Sequence, residues 1–269
     1  MKSPVTLLVA WLAFAMPVLA QPGAIARLET SPRHHEWAQV KQGDRTVKTF
    51  VAFPEIKSKA LAVIVIHENR GLTDFERSVA DRLAGEGYIA LAPDLLSGTA
   101  PGGGGTSDHP SSDAARQAIY QLDAQTVVAD LHSVAEYAKG IPAADGRLAV
   151  IGFCWGGGQT WRFAMARPDL VLAAPFYGTA PAGDAASFES IRCHVHGFYG
   201  GNDARVNATI EPTAAAMKAA GKTYESVIYE GARHAYMRAG QEEDADAANK
   251  TAMEQSWKRL LALLAAAGK

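Results

Sequence analysis

Hydrophobic and polar positions change period repeatedly along this chain. Leu61–His67 (LAVIVIH) is an unbroken β-branched and apolar run, the pattern of a strand covered on both faces. Asp74–Glu86 switches to helical spacing, with Phe75, Val79 and Leu83 on one face and Gly87 as its stop. Tyr88–Ala92 returns to strand character and ends at Pro93. Before this alternation, Gln21–Pro32 reads as an irregular lead-in. Two β-rich stretches, Glu36–Val40 and Thr46–Phe53, then flank the turn signal Gly43-Asp44. Asp113–Lys139 reads as largely helical, with Val127, Leu131, Val134 and Tyr137 on one face, until Gly140, Pro142 and Gly146 break it. Arg147–Phe153 is another buried strand, followed by a helix reaching Arg167. Leu172–Tyr177, His194–Tyr199 and Tyr224–Tyr229 supply three more strands, and Ile210–Ala220 and Ala247–Ala266 two more helices. Such alternation predicts an α/β chain: a mainly parallel sheet with helices on both faces.

The first twenty residues follow a different rule. Met1-Lys2-Ser3 is a short basic start, Pro4–Val18 is almost wholly apolar, and Val18-Leu19-Ala20 places small residues where a signal peptidase reads. The apolar stretch is short for a bilayer span and no basic cluster follows it, which weighs against the competing reading of an uncleaved membrane anchor. The expectation is a signal peptide over 1–20 and one domain over 21–269. The mature chain would be periplasmic or secreted, with no stable membrane insertion. With 269 residues, 48% hydrophobic and 20% charged, the chain is long enough for one sizeable core. A formal net charge of −2 with scattered basic residues leaves no footprint for nucleic acid. Nothing in the sequence sets an oligomeric state.

Ser97–Pro110 (SGTAPGGGGTSDHP) is a long loop with four consecutive glycines. It lacks the Lys-Ser/Thr and the strand-to-helix context of a phosphate cradle. The chemistry lies further on. Gly152-Phe153-Cys154-Trp155-Gly156 follows the strand ending in Val150-Ile151 and opens a helix. A nucleophile centred in Gly-x-Nuc-x-Gly sits on a strained strand-to-helix turn, flanked by glycines because side chains there would collide. The turn lifts Cys154 above the carboxyl ends of the strands, where ligands bind in open α/β sheets. It also sets the sulfur at a helix N-terminus, whose partial positive charge favours thiolate.

A cysteine nucleophile needs a proton carrier, and the carrier an orienting carboxylate. In the α/β-hydrolase fold the chain order is nucleophile, acid, histidine. Asp203 follows the run His196–Tyr199 at a strand end, and His234 follows the strand ending at Tyr229. Asp169 and Asp184 are poorer acids, the first after a helix end at Pro168 and the second in an Ala/Gly-rich loop. His194 and His196 read as packing residues, and His34, His35 and His109 lie outside the expected place for the base. No Gly-x-Ser-x-Gly occurs, which removes a serine esterase.

With these pieces in place, the chain from about Phe53 onward resembles the dienelactone hydrolase family, the cysteine-nucleophile branch of the α/β-hydrolases. The segments that carry the resemblance are His67-Glu68-Asn69-Arg70-Gly71, Pro93-Asp94-Leu95, Gly152–Gly157 and Arg233-His234-Ala235-Tyr236. The resemblance implies hydrolysis of a small-molecule ester or lactone through a thioester, with Cys154, Asp203 and His234 as the triad. It implies that Glu68 contacts the thiol and helps form the thiolate when substrate arrives. It also implies an oxyanion hole built from the backbone N–H groups of Asn69 and Trp155. Arg238 matches one of two arginines that hold the substrate carboxylate. The second is expected after Pro-Asp-Leu, where this chain reads Leu96-Ser97-Gly98-Thr99. Arg70 and Arg205 are candidates to compensate. No metal-ligand spacing and no organic cofactor are indicated.

Two other readings stay open at this level. The fold could persist in a catalytically altered binding protein. Cys193, which reads as core packing, could instead pair with Cys154 as a redox switch.

Overall fold

The computed structural model describes residues 22–268, so the expected signal segment, 1–20, lies outside the described residues. A short helix, α1 (Pro22–Thr30), leads into a hairpin of β1 (His35–Gln42) and β2 (Arg45–Ala52). Gly43, at φ 56°, supplies the left-handed backbone that this two-residue turn requires. Then come β3 (Ala60–Ile66), α2 (Asp74–Gly85), β4 (Ile89–Pro93), α3 (Ser112–Gln121), α4 (Ala124–Gly140), β5 (Ala144–Phe153) and α5 (Trp155–Ala166). The remainder is β6 (Leu170–Phe176), α6 (Ala185–Phe188), β7 (His194–Gly200), α7 (Ala204–Asn207), α8 (Ile210–Ala219), β8 (Tyr224–Tyr229), α9 (Tyr236–Ala239) and α10 (Ala247–Ala267).

The eight strands form one sheet in the order β1-β2-β4-β3-β5-β6-β7-β8. β2 is antiparallel to both β1 and β4, and every pairing from β4 to β8 is parallel. This is the α/β-hydrolase fold. β3 shows why its run of apolar residues is unbroken. Ala62, Ile64 and Ile66 enter a core with Leu131 and Val134 of α4 and Trp161 of α5. Leu61, Val63 and Val65 point the other way, to Phe75, Val79 and Leu83 of α2 and to Leu260 and Leu264 of α10. Both faces of the strand are thus covered, so both sets of alternating residues must be apolar.

The single-turn helices α6, α7 and α9 have no counterpart in the sequence expectation, and two longer stretches differ from it. The lead-in is helical at α1, where Ala24 is buried and Leu28, four residues on, packs against the core; so few inward positions do not register as a periodic face. The expected helix over 113–139 is two helices. Asp123 breaks it, because its side chain accepts from Thr126 N–H at 2.8 Å and caps a new start. The 97–110 loop contains two single 3₁₀ turns, Pro101–Gly103 and Thr106–Asp108. Asp94 fastens it by accepting from Thr106 N–H (2.8 Å) and Thr106 Oγ1 (2.6 Å). Among the described residues no helix is long and apolar enough to cross a membrane.

Candidate active site

Cys154 stands between β5 and α5 with φ 55° and ψ −113°, a conformation most side chains avoid. The neighbouring glycines make the turn possible. A Cβ on Gly156 would lie 2.4 Å from the His67 carbonyl oxygen, and one on Gly152 would lie 2.3 Å from the Gly156 carbonyl oxygen. Among the described residues, Cys154, Tyr177 (φ 39°) and Ala235 (φ 62°) are the only non-glycine residues with positive φ. All three border the same site. Strain of this kind, on the order of 1–3 kcal/mol each, persists where surrounding contacts over-determine it. Here Cys154 N–H donates to Phe176 O (3.0 Å) and Tyr177 N–H to Phe198 O (2.7 Å).

The fold brings the three expected side chains into one line. His234 Nε2 is 3.0 Å from Cys154 Sγ, and His234 Nδ1 is 2.5 Å from Asp203 Oδ2. The loops bearing Asp203 and His234 are stitched together by backbone. Gly201 N–H donates to Tyr229 O and Asn202 N–H to Ala232 O, both at 2.8 Å. The backbone N–H groups of Asn69 and Trp155 both face the sulfur. Asp169 instead pairs with Arg167 and Lys139. Asp184 caps α6.

Burial, and then the Glu68 charge, push Cys154 up to about 11, outweighing the two N–H groups that favour thiolate. The helix N-terminus therefore favours thiolate without outweighing burial and the Glu68 charge. Glu68 is buried, but its oxygens are occupied away from the sulfur. Oε2 accepts from Arg238 Nε at 2.8 Å, and Oε1 from Tyr177 O–H at 3.2 Å. Among the described residues Glu68 makes no hydrogen bond to the thiol, and the ion pair with Arg238 compensates a charge that would otherwise be costly to bury.

Arg238 is committed to that pair and borders a small crevice with Gly23, Ala24 and Phe75. The cavity over Cys154, about 380 Å³, is lined by Tyr120, Trp155, Gln159, Arg162, Tyr177 and Arg205, among others. Arg205 thus reaches the cavity, whereas Arg238 and Arg70 do not line it. Arg162 has no signal in the sequence beyond being an exposed position on a helix. Both cysteines are free, and Cys193 sits buried in the core on the α4–α5 side, so the two are not paired.

Behind Glu68 lies Glu76, fully buried, accepting from Glu68 N–H (2.9 Å), Thr73 N–H (3.0 Å) and Thr73 Oγ1 (2.6 Å). Burial, then the Glu68 charge, raise it to about 7. A carboxyl raised on folding binds its proton more tightly in the folded state, so stability falls as pH rises from about 4.5 to about 7. Glu76→Gln is expected to flatten that slope in urea midpoints measured from pH 5 to 8. An unchanged slope would assign it to other groups.

An elbow cysteine above this sheet, with histidine and carboxylate in line, defines an α/β-hydrolase site. The model of the dienelactone hydrolase family matches residues 47–268, and the chain belongs to that family. It is a hydrolase. The protein named "Putative carboxymethylenebutenolidase" in Methylorubrum extorquens is 30% identical over 209 residues, covering 74% of this chain and 70% of the relative. Its namesake in Salmonella typhimurium is 32% identical over 206 residues, covering 72% and 74%. A crystal structure titled as a "Putative Dienelactone Hydrolase" from Klebsiella pneumoniae superposes with a TM-score of 0.74 at 27% identity, covering 87% of this chain and 98% of that one.

Proposed function

We propose that the chain hydrolyses a small-molecule ester or lactone by nucleophilic catalysis at Cys154. The observation that carries this reading is the continuous line from Sγ through Nε2 and Nδ1 to Oδ2, set on a strained elbow. In the first step Sγ attacks the substrate carbonyl as its proton passes to His234 Nε2, which a neutral resting thiol requires. A C–S bond forms, and the carbonyl oxygen becomes an oxyanion facing the N–H groups of Asn69 and Trp155. Collapse breaks the ester C–O bond, and the leaving alkoxide takes the proton from His234. Water, deprotonated by His234, then attacks the thioester, releases the acid and returns the proton to sulfur. Asp203 holds the imidazole with its other proton on Nδ1 throughout. The Glu68 carboxylate lies beside this line, and its charge adds to burial in keeping the thiol protonated at rest.

Arg205 is proposed to hold a substrate carboxylate, in place of the arginine absent from Leu96–Thr99. A charge-assisted contact of this kind is worth about 1.5–3 kcal/mol. Arg205→Ala should therefore lower kcat/KM for a carboxylate-bearing dienelactone by roughly tenfold or more. Neutral aryl esters should change little. Equal losses on both substrates would remove this assignment. The wider reading is tested by hydrolysis of a dienelactone, neutral aryl esters and simple lactones. Turnover that survives undiminished in Cys154→Ala would contradict it.

A further inference from the structure

His67 ends β3 fully buried, and the reaction as written gives it no part. Its contacts are nonetheless specific. Nδ1 is 2.8 Å from the Glu68 carbonyl oxygen, which can only accept, so Nδ1 carries the hydrogen. Leu95 N–H, which can only donate, is 3.3 Å from Nε2, so Nε2 is bare. Burial lowers the imidazole's pKa and keeps this neutral tautomer, against the charges of Asp94 and Glu68 that pull the other way. The ring also stacks on the Trp155 indole, with centroids 5.4 Å apart and planes 13° apart.

These contacts converge on the two N–H groups that face the sulfur. In a trans peptide the C=O and N–H point in opposite directions, so fixing the Glu68 carbonyl also aims the Asn69 N–H. That carbonyl is held on one side by His67 and also accepts from Gly71 N–H at 3.3 Å. The preceding N–H, of Glu68, is held by Glu76 at 2.9 Å. The second donor belongs to Trp155, whose ring lies on the same imidazole.

We propose that His67 is a positioning residue for hydrolysis, locking the Glu68–Asn69 peptide and the Trp155 ring into one unit so that both N–H groups point at one oxygen. This rests on the cysteine-hydrolase reading above. Oxyanion donors act through placement, and a misaligned donor loses most of its effect on the transition state.

His67→Leu keeps bulk but removes both hydrogen bonds. Its kcat on an aryl ester should fall about 10- to 100-fold with KM within about threefold, somewhat less than outright loss of a donor. His67→Asn sets an amide N–H near the place of Nδ1 and should recover most of the loss. His67→Gln serves the Leu95 side only and should not. The limiting rate of Cys154 alkylation by iodoacetamide, taken from its pH profile so that thiol ionisation is divided out, needs no oxyanion hole and should match wild type in all three. Wild-type kcat in His67→Leu would overturn the inference, as would equal rates for Asn and Gln, or alkylation falling in step with kcat. If His67→Leu does not fold, the Asn–Gln comparison decides. Hydrolysis surviving in Cys154→Ala would instead strike the cysteine-hydrolase reading, so the two failures are distinct.

Discussion

Cys154→Ala is expected to lower ester hydrolysis on the order of 10⁴- to 10⁶-fold, with the fold intact. Alanine keeps the Cβ that the elbow already accommodates and removes only the sulfur, so thermal unfolding should shift little. What disappears is the atom proposed to bond to the acyl carbon. The N–H groups of Asn69 and Trp155 remain, and such donors alone leave a residual acceleration of roughly 10³-fold over water. The loss is therefore large without being complete. Initial rates at high enzyme concentration measure it, and a loss below tenfold would remove sulfur from the chemistry.

Asp203→Asn is expected to cost nearly as much, about 10⁴-fold in kcat, with substrate affinity largely kept. Asp203 accepts from His234 Nδ1, so Nε2 is left bare to take the thiol proton. An asparagine amide can turn its NH₂ toward Nδ1 and hold the opposite tautomer, whose Nε2 cannot accept. Combining Asp203→Asn with Cys154→Ala should add little further loss, because residues acting as a unit are not additive. Full additivity in the double variant would mean that the carboxylate works independently of the sulfur.

The parts of this protein legible in its sequence are those governed by local patterns. All eight strands were marked by runs of apolar or β-branched residues, because burial on one or both faces writes a period directly into the chain. Cys154 was marked by glycines within two residues of it. Asp203 and His234 were marked because each directly follows a strand, and chain order in this fold assigns their roles. What escaped depends on contacts between distant segments. His67 at a strand end looks like any polar terminus until Leu95, Glu68 and Trp155 close around it. Tyr177 and Glu76 matter through Glu68, 109 and 8 residues away respectively. The helix N-terminus behind the thiol is visible in sequence, whereas the burial and neighbouring carboxylate that push the thiol up are not. Arg238 kept its position in the motif yet is occupied by Glu68, while Arg205 gained its place only when α7 packed beside the cavity. The break between α3 and α4 turned on a single capping aspartate inside an otherwise helical pattern.

The central claim is that an acyl group passes through Cys154. Acid quenching within milliseconds of mixing with a slowly deacylating aryl ester, followed by peptide mass analysis, tests it directly. The account predicts an added acyl mass on the peptide containing Cys154, absent in Cys154→Ala and longer-lived in His234→Ala if acylation still proceeds there. Turnover with no adduct on that peptide, together with undiminished hydrolysis by Cys154→Ala, would contradict it.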